Sequence, residues 1–344
     1  MRIEEFDYLL PKEMIAQYPV EERTSSRLLV FDRGKDTIEH RHFQDITNYL
    51  RKGDLLVLND SKVFPARLTG RKETGGAVDI LLVEKTAPDK WLCLIRNAKK
   101  GIDKLDVSIG DQRAVLTKEG PSWTIRFLYD GDSDDIITQH GKMPLPPYIK
   151  RNNGNGNNGN SVVDFDRYQT VYARQKGSIA APTAGFHFSE ELINTIEKMG
   201  VQIAKITLHI GIGTFTLIKS PAVEEHAMHH EYYELDETIK RLIRQAKDDG
   251  RRIVACGTSA VRTLETIFSG NGGTPLRGNT GLFIYPGYKF KMVDALITNF
   301  HLPRSTPLLL ASAFAGRDAL MKCYEEAKER GYRFYSYGDS MLIV

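Results

Sequence analysis

The stretch Ala180-Ala181-Pro182-Thr183-Ala184-Gly185-Phe186-His187-Phe188 lies between a predicted strand and a predicted helix. Before it, Gly177-Ser178-Ile179 is typical of the start of a short strand, and after it Ser189-Glu190-Glu191-Leu192 predicts the start of a helix. A serine can cap the free N–H groups of a helix, and acids suit the positive end of its dipole. Small residues in a strand-to-helix turn let a ligand approach the backbone. The alternative is a plain connecting loop, with His187 as a satisfied, half-buried histidine.

Composition excludes several classes of protein. A chain of 344 residues suggests two domains with ample core, and 47 basic against 44 acidic residues give a net charge of +3, too small to argue for nucleic-acid binding. The cysteines, Cys93, Cys256 and Cys323, are far apart, which disfavours a disulfide framework and fits a reducing cytoplasm. The N-terminus does not have the pattern of a signal peptide, and the longest apolar run, 307–315, is too short to span a bilayer. We therefore expect a cytoplasmic protein without a membrane partner.

The region between residues 63 and 147 differs from the rest of the chain in its pattern of apolar and polar residues. Short alternating segments, separated by turn residues at roughly ten-residue intervals, predict a small antiparallel β-barrel or sandwich. The predicted strands are 66–71, 77–83, 91–95, 113–116 and 123–128. We interpret 63–147 as a barrel domain inserted into an α/β domain made of 1–62 and 148–344. The Asn- and Gly-rich tract at 151–160 is expected to be a mobile loop.

The second half of the chain alternates between strand and helix patterns. The segment 192–196 predicts a helix ended by Gly200, followed by a strand over 201–210. With the strand at 177–179, this predicts a right-handed crossover in a parallel sheet. Further elements are a buried strand at 54–58, a helix capped by Asp236, strands at 253–255 and 294–298, a helix at 318–330, and terminal strands at 332–337 and 341–344. The predicted fold is a mixed-sheet α/β domain with an inserted small antiparallel β-barrel domain.

Polar turns follow several of the predicted strands. In open α/β sheets the carboxyl ends of parallel strands are where sites gather, so turns at those ends converge on one rim. Any one such turn is more often architectural than catalytic. Besides the opening stretch, the turns are Asn59-Asp60-Ser61-Lys62, Gly211-Ile212-Gly213-Thr214-Phe215, Thr298-Asn299-Phe300-His301-Leu302-Pro303 and Tyr335-Ser336-Tyr337-Gly338-Asp339-Ser340.

A histidine-rich segment, Glu225-His226-Ala227-Met228-His229-His230-Glu231, offers ligand-type side chains. On a helix, His226 and His229 would share a face and could bind a metal, but the His-Glu-x-x-His pattern of metalloproteases is absent. We favour acid–base or binding work, with a polar strand edge as the structural alternative. Gly211-Ile212-Gly213 lacks the third glycine of a dinucleotide fingerprint. The residues by themselves indicate a metal-free cytosolic α/β enzyme with a histidine-rich polar rim.

Nearly the whole chain is covered by an ordered series of motif blocks. The blocks are Leu10-Pro11-Lys12-Glu13, Arg27-Leu28-Leu29-Val30, Gly53-Asp54-Leu55-Leu56-Val57-Leu58-Asn59-Asp60, Val63-Phe64-Pro65-Ala66-Arg67-Leu68, Pro144 to Ile149, Tyr168-Gln169-Thr170-Val171-Tyr172-Ala173, the opening stretch 180–188, Leu208-His209-Ile210 with the glycine turn, Glu225-His226-Ala227-Met228-His229, Thr298 to Pro303 with Ser305-Thr306, and Ser336-Tyr337-Gly338-Asp339. In this order they resemble the S-adenosylmethionine:tRNA ribosyltransferase-isomerase family of queuosine biosynthesis. Ser61-Lys62 stands where this family often has Thr-Arg, and Phe186 where Leu is frequent.

This resemblance implies a reaction. The ribosyl group of S-adenosylmethionine is transferred to 7-aminomethyl-7-deazaguanine at the tRNA wobble position and isomerised to epoxyqueuosine, with adenine and methionine released. S-Adenosylmethionine is then a consumed substrate, and no cofactor is implied. The resemblance also implies an α/β domain with a β-barrel insertion. Because no coiled coil or apolar patch is visible, we expect a monomer.

The chemistry suggests roles for residues in the matching blocks. A sulfonium acidifies the neighbouring 5′ carbon, and adenine needs a proton as it leaves, so imidazoles or carboxylates of tuned pKa suit both steps. We hypothesise that His187 and His301 are the acid–base pair, and that Glu231 or Asp60 holds the aminomethyl cation. The predicted substrate-binding residues are Arg67, Thr183, Gly185, Phe186, Gly213, Thr214, Phe215, His226, His229, Asn299, Tyr337 and Asp339. Phe186, Phe188, Phe215 and Tyr337 could stack on a splayed base, with core packing as the alternative.

Two rival functions stay open at this point. A non-catalytic tRNA-binding module would use the barrel and a basic loop formed by Arg96, Lys99, Lys100 and Lys104. A metal-dependent hydrolase would use His226, His229 and His301 as ligands. The first would bind tRNA without releasing adenine, and the second would contain stoichiometric metal.

Overall fold

A computed structural model describes residues 1–98, 101–151, 162–269 and 274–344, without the side chains of Val162 and Phe215. The described chain divides into two compact units. The sheet unit comprises Met1–Lys62, Pro146–Lys150 and Arg167–Val344, and the barrel unit comprises Val63–Leu145 and Arg151–Asp166. The tract predicted to be mobile, 151–160, lies outside the described residues apart from Arg151, as do Lys99 and Lys100. The domain boundaries inferred from sequence stay a prediction.

The strands of the described residues are numbered in chain order. They are β1 Arg27–Asp32, β2 Thr37–His42, β3 Leu55–Asn59, β4 Ser61–Val63, β5 Arg67–Arg71, β6 Ala77–Ala87, β7 Lys90–Arg96, β8 Lys104–Ile109, β9 Gln112–Glu119, β10 Ser122–Phe127, β11 Gln175–Ser178, β12 Gln202–Leu208, β13 Glu231–Glu234, β14 Ile253–Cys256, β15 Arg277–Thr280, β16 Ala295–Asn299 and β17 Ser340–Ile343.

The α-helices are α1 Ser133–His140, α2 Val162–Arg167, α3 Glu190–Lys198, α4 Glu237–Asp248, α5 Thr258–Ser269, α6 Thr306–Ala315 and α7 Arg317–Glu329. Short 3-10 helices cover Ile3–Phe6, Lys12–Met14, Arg23–Ser25, Phe43–Asn48, Thr183–His187, Ile212–Phe215 and Val223–Glu225. The predicted caps form: the Ser189 hydroxyl accepts from the N–H of Leu192 at 3.1 Å, and the Asp236 carboxylate accepts from the N–H of Thr238 at 2.7 Å.

The sheet unit is built on a nine-stranded mixed sheet in the order β15-β13-β12-β3-β14-β16-β17-β1-β2. Its centre, β12-β3-β14-β16, is parallel. Every residue of β3, β14 and β16 is buried, as expected for strands covered on both faces. Alternate side chains enter separate cores: Leu55 and Val57 of β3 pack in one, and Leu56 and Leu58 in the other. This alternation explains the continuous apolar runs of the sequence.

The barrel unit contains a closed six-stranded antiparallel barrel in the order β10-β7-β6-β5-β8-β9. Its strands alternate between buried and less buried residues, for example in β6, because one face of each strand fills the barrel interior. The fold class predicted from the sequence is therefore confirmed: a mixed-sheet α/β unit together with a small antiparallel barrel. Strand β8 and helix α1 were not predicted, since β8 carries charged residues at alternate positions and α1 is only two turns long.

Two local predictions are wrong. The segment at 177–179 does not begin a parallel crossover, because β11 pairs with β4 in a separate two-stranded sheet and not with the sheet that holds β12. The segment 332–337 is not a strand but a turn, in which Tyr335 has a left-handed φ of 71°. At 177–179 the extended backbone forms but pairs with a different strand, whereas at 332–337 long-range contacts override a local preference for extended backbone.

The three cysteines, Cys93, Cys256 and Cys323, are all free and buried. Among the helices within the described ranges, none has both the length and the apolar character needed to cross a lipid bilayer.

Candidate active site

A cavity opens in the sheet unit at the carboxyl ends of three parallel strands. Residues directly after β12, β14 and β16 line it: Ile210, then Gly257 to Ser259, then Phe300 to Leu302. The space among these residues, counted together with its solvent-filled mouth, is about 900 Å³. The edge of the sheet predicted from the turn pattern is thus the edge at which the cavity lies.

The opening stretch forms one side of this cavity. Ala181, Pro182, Thr183 and Ala184 line it, and the chain then turns through the 3-10 helix into α3. Gly185 is buried, and a Cβ atom there would lie 2.0 Å from the hydroxyl oxygen of Tyr172. Gly185 therefore permits close packing of the bend and does not line the cavity.

His187 lies behind the cavity in a buried hydrogen-bonded chain. Its Nε2 lies 3.2 Å from Asn299 Nδ2, and its Nδ1 lies 2.7 Å from Ser26 Oγ. Asn299 Oδ1 in turn accepts a hydrogen bond from Thr183 Oγ1 at 2.9 Å. Burial, with smaller contributions from Arg23 and Arg333, lowers the pKa of His187 to about 3. The imidazole is neutral near pH 7, and both of its nitrogens have partners.

His301 lines the cavity itself. Its Nε2 lies 2.8 Å from Thr298 Oγ1, and its backbone carbonyl accepts a hydrogen bond from the hydroxyl of Tyr8. Burial lowers the pKa of His301 to about 3, so its side chain is also neutral near pH 7. The neutral imidazole is a weak base, and once protonated it donates its proton readily.

Glu231 lines the cavity from the start of β13 and is held on both oxygens. Oε1 accepts from the N–H of Gly211 at 2.8 Å, and Oε2 pairs with the guanidinium of Arg262. Arg262 also donates to the carbonyls of Leu282, at 3.0 Å, and Thr280, at 3.2 Å. The negative charge of Glu231 is therefore compensated by protein before any ligand binds.

Sequence reasoning missed Arg262. It lies on α5, where Ala260, Val261 and Leu264 are buried with it. A charged residue within such an apolar helix was the available signal, since buried charges are paired or coordinate a ligand.

Tyr148 and Ser336 were also missed as cavity residues. The two hydroxyl oxygens lie 2.6 Å apart, and burial raises the pKa of the Tyr148 phenol. Tyr335, beside them, has its pKa raised by burial to about 12. The cavity thus presents neutral O–H groups and neutral imidazole.

Three predicted residues lie elsewhere among the described residues. The carboxylate of Asp60 accepts from Thr207 Oγ1 at 2.7 Å and from Arg174 Nε at 3.2 Å. Asp339 accepts from the backbone N–H groups of Arg27 and Arg333, at 2.9 and 2.8 Å, and burial raises its pKa. In the barrel unit, Arg67 pairs with both oxygens of Asp79. Each of these has a structural partner; their predicted functional roles stay predictions.

The aromatic residues proposed for base stacking are mostly in the interior. Phe188 is completely buried, and Phe186 and Tyr337 are nearly so, with ring centroids 5.9 Å apart. Phe186 and Tyr337 contribute, with His187, to a second, smaller cavity. The side chain of Phe215 lies outside the described residues. Phe188 packs in the core, and the stacking roles proposed for these rings stay predictions.

The histidine-rich segment is not a helix. Residues 226–230 are irregular, so His226 and His229 do not share a helical face. His226 packs edge-on against Phe283, and His229 lies against Gly213, where a Cβ atom would be 2.7 Å from its ring. Thr214 and Met228 line the cavity, but His226 and His229 are not among the described lining residues. No group of three His, Cys, Asp or Glu side chains in the described part of the chain is placed to hold a metal ion.

The parallel sheet with a polar cavity at its carboxyl edge, in a chain that also forms a closed antiparallel barrel, defines an α/β enzyme with a barrel module. Comparison with known families places it more closely. The sequence model of the family described as queuosine biosynthesis protein matches residues 3–343. The chain belongs to this family, and the resemblance inferred from its motif blocks is confirmed.

Similar proteins have been named individually. S-Adenosylmethionine:tRNA ribosyltransferase-isomerase from Thermotoga petrophila is 51% identical over 346 residues, covering all of both chains. The protein of that name from Thermotoga maritima is 50% identical over 345 residues, also at full coverage. The crystal structure of S-adenosylmethionine tRNA ribosyltransferase from Thermotoga maritima matches with a TM-score of 0.56 and 40% sequence identity, covering 99% of this chain and 100% of that one.

Proposed function

We propose that this protein transfers the ribosyl group of S-adenosylmethionine to 7-aminomethyl-7-deazaguanine at the wobble position of tRNA and isomerises it to epoxyqueuosine, releasing adenine and methionine. Full-length identity of about half to relatives bearing that enzyme name carries the proposal. The cavity supports it, because apolar and polar side chains both line it, as is common in sites for small-molecule substrates. S-Adenosylmethionine is consumed as a substrate, and no further cofactor takes part.

His301 is our candidate for moving the proton in this reaction. The sulfonium acidifies the 5′ carbon, and the neutral imidazole accepts that proton when the carbanion forms. Because burial holds the pKa of His301 at about 3, its imidazole is a weak base, and the resulting imidazolium gives its proton up readily. Adenine, which leaves as its bond to the ribose breaks, takes that proton. The low pKa therefore favours donation to adenine over abstraction from the 5′ carbon.

The other predicted catalytic residues, Glu231, His187 and Asp60, already have hydrogen-bond or ionic partners within the protein. Since Arg262 already pairs with Glu231, the carboxylate offers the aminomethyl cation only its remaining lone pairs, in a fixed orientation. His187 has no ring nitrogen left for a substrate, so a direct acid–base role for it would require the buried chain to open. Asp60 has partners on both oxygens outside the cavity lining.

We further propose that the enzyme acts as a cytoplasmic monomer with no membrane partner. The substrate is a tRNA that already carries the deazaguanine, so the reaction belongs where mature tRNA is modified. Sedimentation or size-exclusion measurement of the mass in solution tests the monomer. Neither the non-catalytic tRNA-binding module nor the metal-dependent hydrolase is favoured.

The decisive experiment combines product analysis with one substitution. The protein is incubated with S-adenosylmethionine and tRNA bearing the deazaguanine, and nucleosides are analysed by mass. Wild type is expected to give epoxyqueuosine and an equivalent of adenine. His301→Ala is expected to slow single-turnover adenine release by about 100-fold or more, the usual contribution of an acid–base residue.

A matched control is His40→Ala. His40 contacts Tyr332 and Glu326 and is not among the described residues that line the cavity, so it should leave adenine release at the wild-type rate. Binding of tRNA without adenine release by the wild type would instead support a binding module. Wild-type rates in His301→Ala would remove its proposed role.

A further inference from the structure

The direction of each hydrogen bond in the buried chain behind the cavity can be worked out from its ends. Asn299 is 3% exposed, and its Nδ2 lies 3.4 Å from the carbonyl oxygen of Tyr335 and 3.5 Å from that of Asp339. Carbonyl oxygens only accept, so the amino group of the amide must be on that side. The amide orientation of Asn299 is therefore fixed.

The same reasoning fixes the tautomer of His187. The Asn299 amino group, 3.2 Å from Nε2, is a donor, so Nε2 must be the unprotonated acceptor. At the other end, Ser26 Oγ donates to the carbonyl of Arg23 at 3.2 Å and must therefore accept from Nδ1–H of His187, at 2.7 Å. Both ends require hydrogen on Nδ1, and the chain is internally consistent.

The orientation of the Asn299 amide also fixes the hydrogen-bond role of Thr183. Its hydroxyl hydrogen is committed to Asn299 Oδ1, at 2.9 Å, because an amide oxygen only accepts. Thr183 is half-buried and lines the cavity. To any ligand that reaches it, the Thr183 oxygen therefore offers lone pairs alone.

We propose that Thr183 Oγ1 is an obligate hydrogen-bond acceptor that selects a hydrogen-bond donor of the substrate, and that His187 is a positioning residue that fixes this polarity through Asn299. The inference rests on the proposed function, which supplies two sources of such a donor. One is an N–H or O–H group of S-adenosylmethionine, and the other is the aminomethyl group or a ribose hydroxyl of the tRNA. A substrate that placed an acceptor at this point would leave two lone pairs facing each other.

The test measures KM for each substrate separately in the adenine-release assay. Thr183→Val keeps the shape and removes the acceptor, so KM for one substrate is expected to rise about 10-fold or more while KM for the other stays within about 2-fold. Thr183→Ser, which keeps the oxygen, is expected to recover most of that affinity. The substrate whose KM rises identifies the source of the donor. Thr195→Val is the matched control, since the Thr195 hydroxyl bonds only the carbonyl of Glu191 within α3.

The positioning role of His187 is tested without turnover. Nitrogen NMR of the wild-type protein is expected to show His187 with hydrogen on Nδ1 and no titration from pH 8 down to pH 5. Hydrogen on Nε2, or titration in that range, would overturn the inference even if Thr183→Val fails to fold.

The activity outcomes separate the two proposals. Unchanged KM values in Thr183→Val, equal losses for both substrates, or a Thr183→Ser variant as impaired as Thr183→Val would overturn the inference alone. A wild-type protein that releases no adenine would contradict the proposed function, and the NMR result would still decide the hydrogen-bond polarity.

Discussion

Two sides of the cavity hold their buried polar groups in opposite ways. The ionic side, Glu231 with Arg262, uses full charges that compensate each other. The neutral side, Thr183, Asn299, His187 and Ser26, uses a chain of uncharged hydrogen bonds. The two sides differ in what breaks them. A buried charge that loses its partner is costly at any pH, whereas a neutral imidazole is vulnerable to acid.

The largest expected effect comes from breaking the ionic side. Arg262→Met leaves Glu231 buried and uncompensated, so the free energy of unfolding should fall by about 3–5 kcal/mol. Urea denaturation measures this change. Adding Glu231→Gln to Arg262→Met should restore a large part of the loss, because the unpaired charge is gone.

A suitable control is Arg41→Met. Arg41 pairs with Glu39 at the surface, and such exposed pairs contribute about 1 kcal/mol or less. If the double variant is no more stable than Arg262→Met, charge compensation is not what the pair provides.

A middle-sized effect is expected when the neutral side is challenged with acid. The pKa of His187 is about 3 in the folded protein, below its ordinary value of 6.5, so the unfolded chain binds the proton first as pH falls. Its contribution is full above pH 6.5 and is lost progressively between about pH 6.5 and pH 3. Between pH 7 and pH 5 the loss is about 2 kcal/mol.

His187→Gln removes this titration while keeping polar atoms. Urea denaturation at pH 7 and pH 5 should show wild type losing about 2 kcal/mol more than the variant over that range. Parallel pH dependences in the two proteins would mean that His187 is not held neutral by the fold.

The smallest effect is expected at the far end of the neutral side. Ser26→Ala removes the acceptor for Nδ1–H of His187 without creating a charge, so the free energy of unfolding should fall by about 1 kcal/mol. Ser25→Ala, whose hydroxyl bonds the exposed turn carbonyl of Glu22, should change it by less than about 0.5 kcal/mol. A Ser26→Ala loss as large as that of Arg262→Met would erase the distinction between the two sides.

Much of the fold could be predicted because periodicity reflects burial. The apolar run of β3 and the caps at Ser189 and Asp236 could be predicted from the sequence, since each depends on residues close together in the chain. The predicted parallel crossover from β11 was wrong, because strand pairing depends on residues far apart in the chain. In the structure β11 pairs with β4, Ser61–Val63. The strand predicted at 332–337 was wrong for a similar reason, because contacts with distant residues hold this segment in a turn.

The site was predicted in part. Thr183, Thr214, Glu231, Asn299 and His301 line one cavity, as convergence of strand-end turns requires. The sequence could not tell that His187 lies behind Asn299, or that Glu231 already has a guanidinium. Residue type shows what a group can do, and only packing shows which of its atoms remain available.

By itself, the sequence determined the parallel α/β core, the barrel strands and the family, because hydrophobic period, caps and ordered motif blocks are local properties of the chain. Tertiary structure alone decided which polar groups face the cavity, which tautomer His187 takes and that Arg262 holds Glu231. Those features depend on distances between segments separated by tens to hundreds of residues, and such distances are set by how the whole sheet unit packs.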